Sequence, residues 1–235
     1  MAITANRLTQ AAGVCAALAG AIFIGVNINH PHVDLASIIT TEVVVRNSLK
    51  VLMCALALAG ITGMYLSQVR RNGAVGLVGY LVLATGYLLI MSTTFVTAYV
   101  LPAIADTDPA YVEDVIAVAT GGTATGDIGA LATINQLQGF AYLAGGLVFG
   151  IALYRARVLA RWAAVLLAVG GIVSAALAVM PDAFYRLLAY PNGIAMIALG
   201  YSLWSTARSD VPTQAAEVRD RHATTTGGEA TAAQP

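Results

Sequence analysis

Six long apolar runs, nearly free of charge, constrain what this chain can fold into more than any other feature. They cover residues 9–28, 47–68, 74–100, 134–154, 161–180 and 188–206. A helix of about 20 residues crosses a hydrocarbon core of roughly 30 Å, and each run has about that length. Only 10% of the chain is charged, whereas soluble domains are about 25% charged. We therefore predict an all-α, polytopic membrane bundle of six transmembrane helices within residues 1–208.

The ends of alternate runs share a short pattern, in which Gly-x-x-Leu closes the run and an arginine follows. The three copies lie at 63–66 before Arg70, at 150–153 before Arg157 and at 200–203 before Arg208. The pattern indicates three tandem helical hairpins, although membrane helices in general share such features. Both interpretations stay open on the sequence alone.

Basic residues sort to one side of the predicted membrane. If successive runs alternate in direction, one side carries nine arginines and the other carries three basic residues. Because cytoplasmic loops carry the basic excess, we predict a multi-pass plasma-membrane protein with both its N- and C-termini in the cytoplasm. The first set is Arg7, Arg70, Arg71, Arg155, Arg157, Arg161, Arg208, Arg219 and Arg221, and the second is Arg46, Lys50 and Arg186.

Two polar segments lie outside the runs. Loop 103–131 is predicted to face outwards and to contain a short amphipathic helix on the membrane surface, since its apolar residues recur at helical spacing. Asp108 and Pro109 would cap and begin that helix. Residues 209–235 have no apolar periodicity to bury, so we predict a disordered cytoplasmic tail there.

A histidine-containing turn after the first run offers candidate metal ligands. His30, His32 and Asp34 alternate along it, and alternate side chains of an extended segment point the same way. A zinc site takes about three or four such ligands. The alternative is a polar turn at the membrane interface, with Pro31 ending the helix.

Charged and amide side chains near the predicted outer ends of the runs form the candidate ligand site. Glu42, Arg46 and Lys50 recur every four residues on one helix face. Such cations either extend to the interface or line a polar cavity, where they would suit an anionic or carbonyl-bearing ligand such as a lipid headgroup. The predicted ligand-binding residues are Asn29, His30, Arg46, Lys50, Gln138 and Asn192.

The sequence also bears on a disulfide, a cofactor, a nucleic-acid partner and helix–helix contacts. Cys15 and Cys54 differ by about 10 Å in predicted depth, too far for a disulfide. The sequence predicts no cofactor, and the net charge of zero does not indicate a nucleic-acid partner. Small residues on helix faces, as at Gly13 and Gly25, favour close helix contacts within the chain, in a homo-oligomer or with a membrane partner.

Several stretches resemble small six-helix membrane proteins common in actinobacteria. The resemblance covers most of residues 7–208, and it implies an architecture without implying an activity or catalytic residues. The stretches that carry it are LYRARVLARWA at 153–163 with Leu166-Leu167 and Gly170-Gly171 after it, Arg7-Leu8 before Ala12-Gly13-Val14, and GYSLW at 200–204.

Three hypotheses for function follow. The first is a non-enzymatic membrane protein that binds a lipid, a small molecule or a partner in an outer-leaflet polar pocket. The second is a small transporter or channel, which would need a polar path through both leaflets. The third is a membrane enzyme with a metal site on its outer face. No catalytic residue is assigned.

Overall fold

The structure, a computed structural model, describes residues 4–29, 33–177 and 190–209, and the backbone alone within 171–177. The described chain is helical and contains no strand. A π-helical turn, Val96–Val100, joins the fourth helix directly to the fifth. The helices are α1 (Ala5–Asn27), α2 (Leu35–Ile38), α3 (Thr41–Leu66), α4 (Val69–Phe95), α5 (Leu101–Ile104), α6 (Pro109–Ala119), α7 (Leu131–Ala156), α8 (Arg161–Leu177) and α9 (190–209).

Within the described residues, four apolar helical stretches are long enough to cross a membrane. They are α1, α3, α7 and the continuous stretch Val69–Ile104, which joins α4, the π turn and α5. The prediction of an all-α fold is therefore confirmed, and these four stretches support a membrane location. The predicted fifth and sixth runs, 161–180 and 188–206, extend beyond the described residues, so the count of six spans stays a prediction. The predicted tail also lies outside the described part.

The long helices form a closed ring in chain order. Within the described chain, α1 packs on α3, α3 on α4, α4 on α7 and α7 on α8. The Ala160 N–H donates to Ser202 Oγ at 3.0 Å and so joins the start of α8 to α9. A methyl group on Gly13 would lie 2.6 Å from the Gly200 carbonyl oxygen, so α9 also touches α1. Each of the six long helices therefore has an antiparallel neighbour on either side.

Apolar side chains fill the inside of this ring. Ile61, Met64, Phe149 and Leu199 are fully buried there, together with Cys54. Cys15 and Cys54 are both free. Within a bilayer the helices gain no hydrophobic driving force from one another, so close packing must hold them together.

Glycines provide close contacts of this kind between α4 and α7. A methyl group on Gly86 would lie 2.7 Å from the Tyr142 backbone nitrogen, and one on Gly145 would lie 2.8 Å from Leu83 Cβ. Neither position has room for a side chain. The two helices can therefore approach with their backbones nearly in contact.

The two ends of the ring differ in charge. Among the described residues, Arg7, Arg70, Arg71, Arg155, Arg157, Arg161 and Arg208 lie at one end, which we call the arginine-rich end. Every described aspartate and glutamate lies at the opposite end, with Arg46 and Lys50, and we call it the acidic end. This sorting agrees with the predicted alternation of the runs.

A small helical layer covers the acidic end. The Tyr111 N–H donates to Asp108 Oδ1 at 3.2 Å, and Pro109 begins α6, as predicted. The prediction that α6 lies on the membrane surface is wrong, because its apolar face is buried within the protein. Val112 and Ile116 pack with Ile38 and Leu101 in a second core.

The starts of α3 and α4 compare differently with the prediction. Helix α3 begins at Thr41, two turns before the predicted residue 47, because Thr40 caps it and Glu42 lies in its first turn. The described α4 includes a break at Gly73, with φ 57° and ψ −158°. The main part of α4 therefore starts at Ala74, which is where the third apolar run predicts it.

Candidate functional site

A groove of about 460 Å³ lies between the acidic-end halves of α1 and α3. Its volume falls in the range of small-molecule sites, roughly 300–1,000 Å³. Most of its wall is aliphatic, and its polar residues come from the first turns of α3. The lining residues are Ile22, Gly25, Val26, Thr41, Glu42, Val45, Arg46 and Leu49.

Gly25 gives the groove its depth. A methyl group placed on Gly25 would have no other atom within 4 Å, apart from its own helix and neighbours. By contrast, methyl groups on Gly13 and Gly20 would collide with α9. The predicted stripe from Gly13 to Gly25 is therefore not one packing face. Its far end faces open space beside α3.

Arg46 closes the groove and caps α1. Its Nη1 donates to the Val26 carbonyl at 3.1 Å and to the Ile28 carbonyl at 3.0 Å. Its Nε donates to Glu42 Oε1 at 3.0 Å, and Nη2 lies 2.9 Å from the same oxygen. The last carbonyls of a helix lack partners within the helix, and Arg46 supplies them from α3. Arg46 thus points toward α1 rather than into lipid.

These contacts set the chemistry of the groove's polar rim. Four of the five N–H groups of the Arg46 guanidinium contact protein oxygens, and Glu42 neutralises its charge. Only one N–H group remains to bind an anion. The Glu42 side chain is 59% exposed, and one of its oxygens serves the ion pair. The rim therefore presents a nearly neutral ion pair with an accessible carboxylate oxygen, beside the Thr41 hydroxyl.

The other predicted ligand residues have neighbours elsewhere. Asn29 is exposed just after α1, with a φ of 48°. Lys50 is half-buried one turn below Arg46. Asn192 is 2% exposed and lies against Gly170, between α9 and α8. The structure thus places Arg46 and Asn192 in different pairs of helices, and a single pocket that joins all of the predicted residues stays a prediction.

Gln138 belongs to a hydrogen-bonded chain that ties α6 to the ring. Thr93 Oγ1 donates to Gln138 Oε1 at 2.6 Å, and Gln138 Nε2 donates to Asn135 Oδ1 at 2.6 Å. Asn135 Nδ2 then donates to the Val118 carbonyl at 3.0 Å. A cavity of about 20 Å³ beside Thr93, Thr97 and Asn135 has room for one water molecule. These hydrogen bonds give Gln138 a structural role.

Only part of the predicted metal site lies among the described residues. His30 and His32 are outside them, so their prediction is untested. Asp34 caps α2, since the Ser37 N–H donates to its Oδ1 at 2.8 Å. Among the described residues, no group of three potential metal ligands comes together.

Two further candidates were not predicted from the sequence. They are Gln68, just before α4, and Asn72, in the first turn of α4. Their side chains are 3% and 6% exposed. The available signal was two amides four residues apart beside Arg70 and Arg71, at the arginine-rich end.

Comparisons with protein-family models, with curated proteins and with solved structures give no match to this chain. The resemblance to six-helix actinobacterial membrane proteins is therefore untested and stays a prediction.

Proposed function

We propose that this membrane protein binds a phospholipid, with an acyl chain in the α1–α3 groove and the headgroup at the groove's polar rim. The groove carries the proposal. Its wall is formed by Ile22, Val26, Val45 and Leu49, and the Glu42–Arg46 pair lies at one end only. An amphiphile has the same division between an apolar body and a polar end.

The charge on the rim favours a zwitterionic phospholipid headgroup over a net anionic one. Arg46 is neutralised by Glu42 and shared with two α1 carbonyls. An ammonium or hydroxyl group would find the Glu42 carboxylate as its acceptor, and a phosphate would find the remaining Arg46 N–H. This refines the sequence-based expectation of an anionic or carbonyl-bearing ligand.

The proposal includes the topology predicted from the sequence, with six spans, both termini in the cytoplasm and the groove in the outer leaflet. The sorting of arginines to one end supports it. The function is binding rather than transport, and the apolar filling of the ring supports this choice, because a transporter needs polar groups along its path. The proposed role is likewise binding rather than catalysis.

The test is to fill the groove from α1. Gly25→Leu places a branched side chain where the acyl chain would lie, and open space at Gly25 allows the protein to fold. The full chain is purified in mild detergent, and retained phospholipid is measured by native mass spectrometry. We expect less retained lipid, because even a modest clash of about 1.4 kcal/mol raises the Kd about tenfold.

Gly139→Leu is the matched control, since Gly139 in α7 also faces open space. It adds the same side chain to a ring helix away from the groove, and it should leave retained phospholipid unchanged. Equal phospholipid retention in Gly25→Leu and Gly139→Leu would refute the groove as the binding site.

A further inference from the structure

The turn between α3 and α4 contains two buried carboxamides without partners. Within the described chain, Gln68 Nε2 and Oε1 and Asn72 Nδ2 and Oδ1 are buried and make no hydrogen bond. Buried side-chain amides are ordinarily hydrogen-bonded, and near a membrane the need is stronger. Two such side chains, one helical turn apart, indicate a site for a polar group.

The same turn begins the main part of α4. Gly73 has φ 57° and ψ −158°, in a region that glycine alone adopts readily. Because Gly73 has no side chain, it cannot cap the N–H groups of the helix that starts at Ala74. Such uncapped N–H groups, at the positive end of the helix dipole, bind anions.

Asn72 lies over this helix start. A methyl group on Gly76, in the first turn after the break, would lie 3.0 Å from Asn72 Cγ and 3.5 Å from its Nδ2. The unpartnered carboxamide is therefore next to the first-turn backbone, and its N–H groups add to the backbone donors there.

Charge at this end of the ring favours an anion. Arg70 and Arg71 directly precede Asn72, and both are exposed. The described residues include seven arginines at this end and no aspartate or glutamate. Guanidinium, carboxamide and backbone N–H groups are all hydrogen-bond donors, and phosphate, with several acceptor oxygens, is the group that matches such a set.

We propose that the α3–α4 turn binds a phosphate group. Asn72, Gln68 and the first-turn N–H groups hold its oxygens, and Arg70 and Arg71 supply the opposing charge. The turn follows an apolar span of membrane-crossing length, so it lies at the depth of phospholipid headgroups. The phosphate belongs either to an anionic phospholipid or to a soluble phosphate, and the experiment separates these sources.

The experiment measures thermal unfolding of the full chain in neutral detergent micelles. One arm adds phosphatidylglycerol to the micelles, and the other adds inorganic phosphate at constant ionic strength, with chloride as the reference. We expect at least one of them to raise the Tm. The Arg70→Gln/Arg71→Gln variant should need about tenfold more of that compound for half of the shift. Asn72→Asp, which keeps the shape but adds a negative charge, should abolish the shift.

Arg161→Gln/Arg208→Gln is the matched control, because it removes two charges from the same end at α8 and α9, on the opposite side of the ring from the turn. A shift with phosphatidylglycerol alone identifies a lipid headgroup, and a shift with inorganic phosphate identifies a soluble source. The proposal is overturned if neither compound raises the Tm. It is also overturned if Arg70→Gln/Arg71→Gln keeps the full shift, or if the control loses as much of it. If Asn72→Asp does not fold, the two arginine variants decide.

Discussion

At the scale of single residues, Asp114 shows how one carboxylate can organise a loop. Its Oδ1 accepts from Thr125 N at 2.7 Å and Thr125 Oγ1 at 3.0 Å, and its Oδ2 accepts from Gly126 N at 2.8 Å. The backbone hydrogen bonds from Thr125 and then Gly126 lower the pKa of the Asp114 carboxyl below its usual range. The ionised form is therefore favoured by the folded loop.

This lowered pKa predicts a dependence on pH. A carboxyl whose pKa is lower in the folded state adds stability above its unfolded pKa of about 3.9, and this stability is lost as pH falls through the folded pKa. Asp114→Asn should lower the Tm at pH 7, because its amide group would face N–H donors. We expect the difference in Tm from the wild type to shrink below about pH 4.

Asp127→Asn is the comparison for this loop, since Asp127 accepts an exposed hydrogen bond from Gly129 N at 2.8 Å. It should change the Tm little at either pH. A difference between Asp114→Asn and the wild type that persists unchanged in acid would contradict the role given to the carboxylate.

Residue contacts were harder to predict than residue types. The spacing of Glu42 and Arg46 correctly indicates a pair at i, i+4. The Val26 and Ile28 carbonyls that also bind Arg46 come from another helix, and spacing within α3 carries no information about them. This is why the sequence leaves open whether Arg46 faces lipid or the bundle.

At the scale of helices, the α4–α7 contact depends on positions that have no side chain. Gly145→Val would place a branched side chain against Leu83. Overpacking of this kind typically costs about 1–3 kcal/mol. We expect a lower Tm in detergent and a smaller monodisperse fraction on size-exclusion chromatography.

Gly139→Val tests whether the effect belongs to the contact rather than to helix propensity, because Gly139 lies on the same helix and faces open space. Its Tm should stay near that of the wild type. Similar losses in Gly139→Val and Gly145→Val would mean that the close approach of α4 and α7 does not limit stability.

The long helices could be predicted because apolar run length and membrane thickness are directly related. The four-residue α2 was missed, since it depends on the local capping bonds between Asp34 and Ser37. The position of α6 was also misjudged. Its apolar periodicity shows that one face is buried, but not whether lipid or the second core covers that face.

At the scale of the whole molecule, the separation of charge predicts orientation. In a background without Cys15 and Cys54, single cysteines are introduced by Thr123→Cys, in the exposed loop at the acidic end, and by Thr213→Cys. An impermeant thiol reagent on intact cells should label the first variant, and it should label the second after permeabilisation. Labelling of Thr213→Cys but not of Thr123→Cys on intact cells would reverse the topology.

The closed ring has a consequence for how the protein is made. Helix α1 leaves the ribosome before the other ring helices, yet one of its two neighbours, α9, leaves after all of them. Until α9 has been made, the Gly13 and Gly20 face of α1 lacks the backbone that will cover it. The translocation machinery or surrounding lipid must occupy that face in the meantime. The ring therefore closes when α1 and α9 meet, after the helices between them have been made.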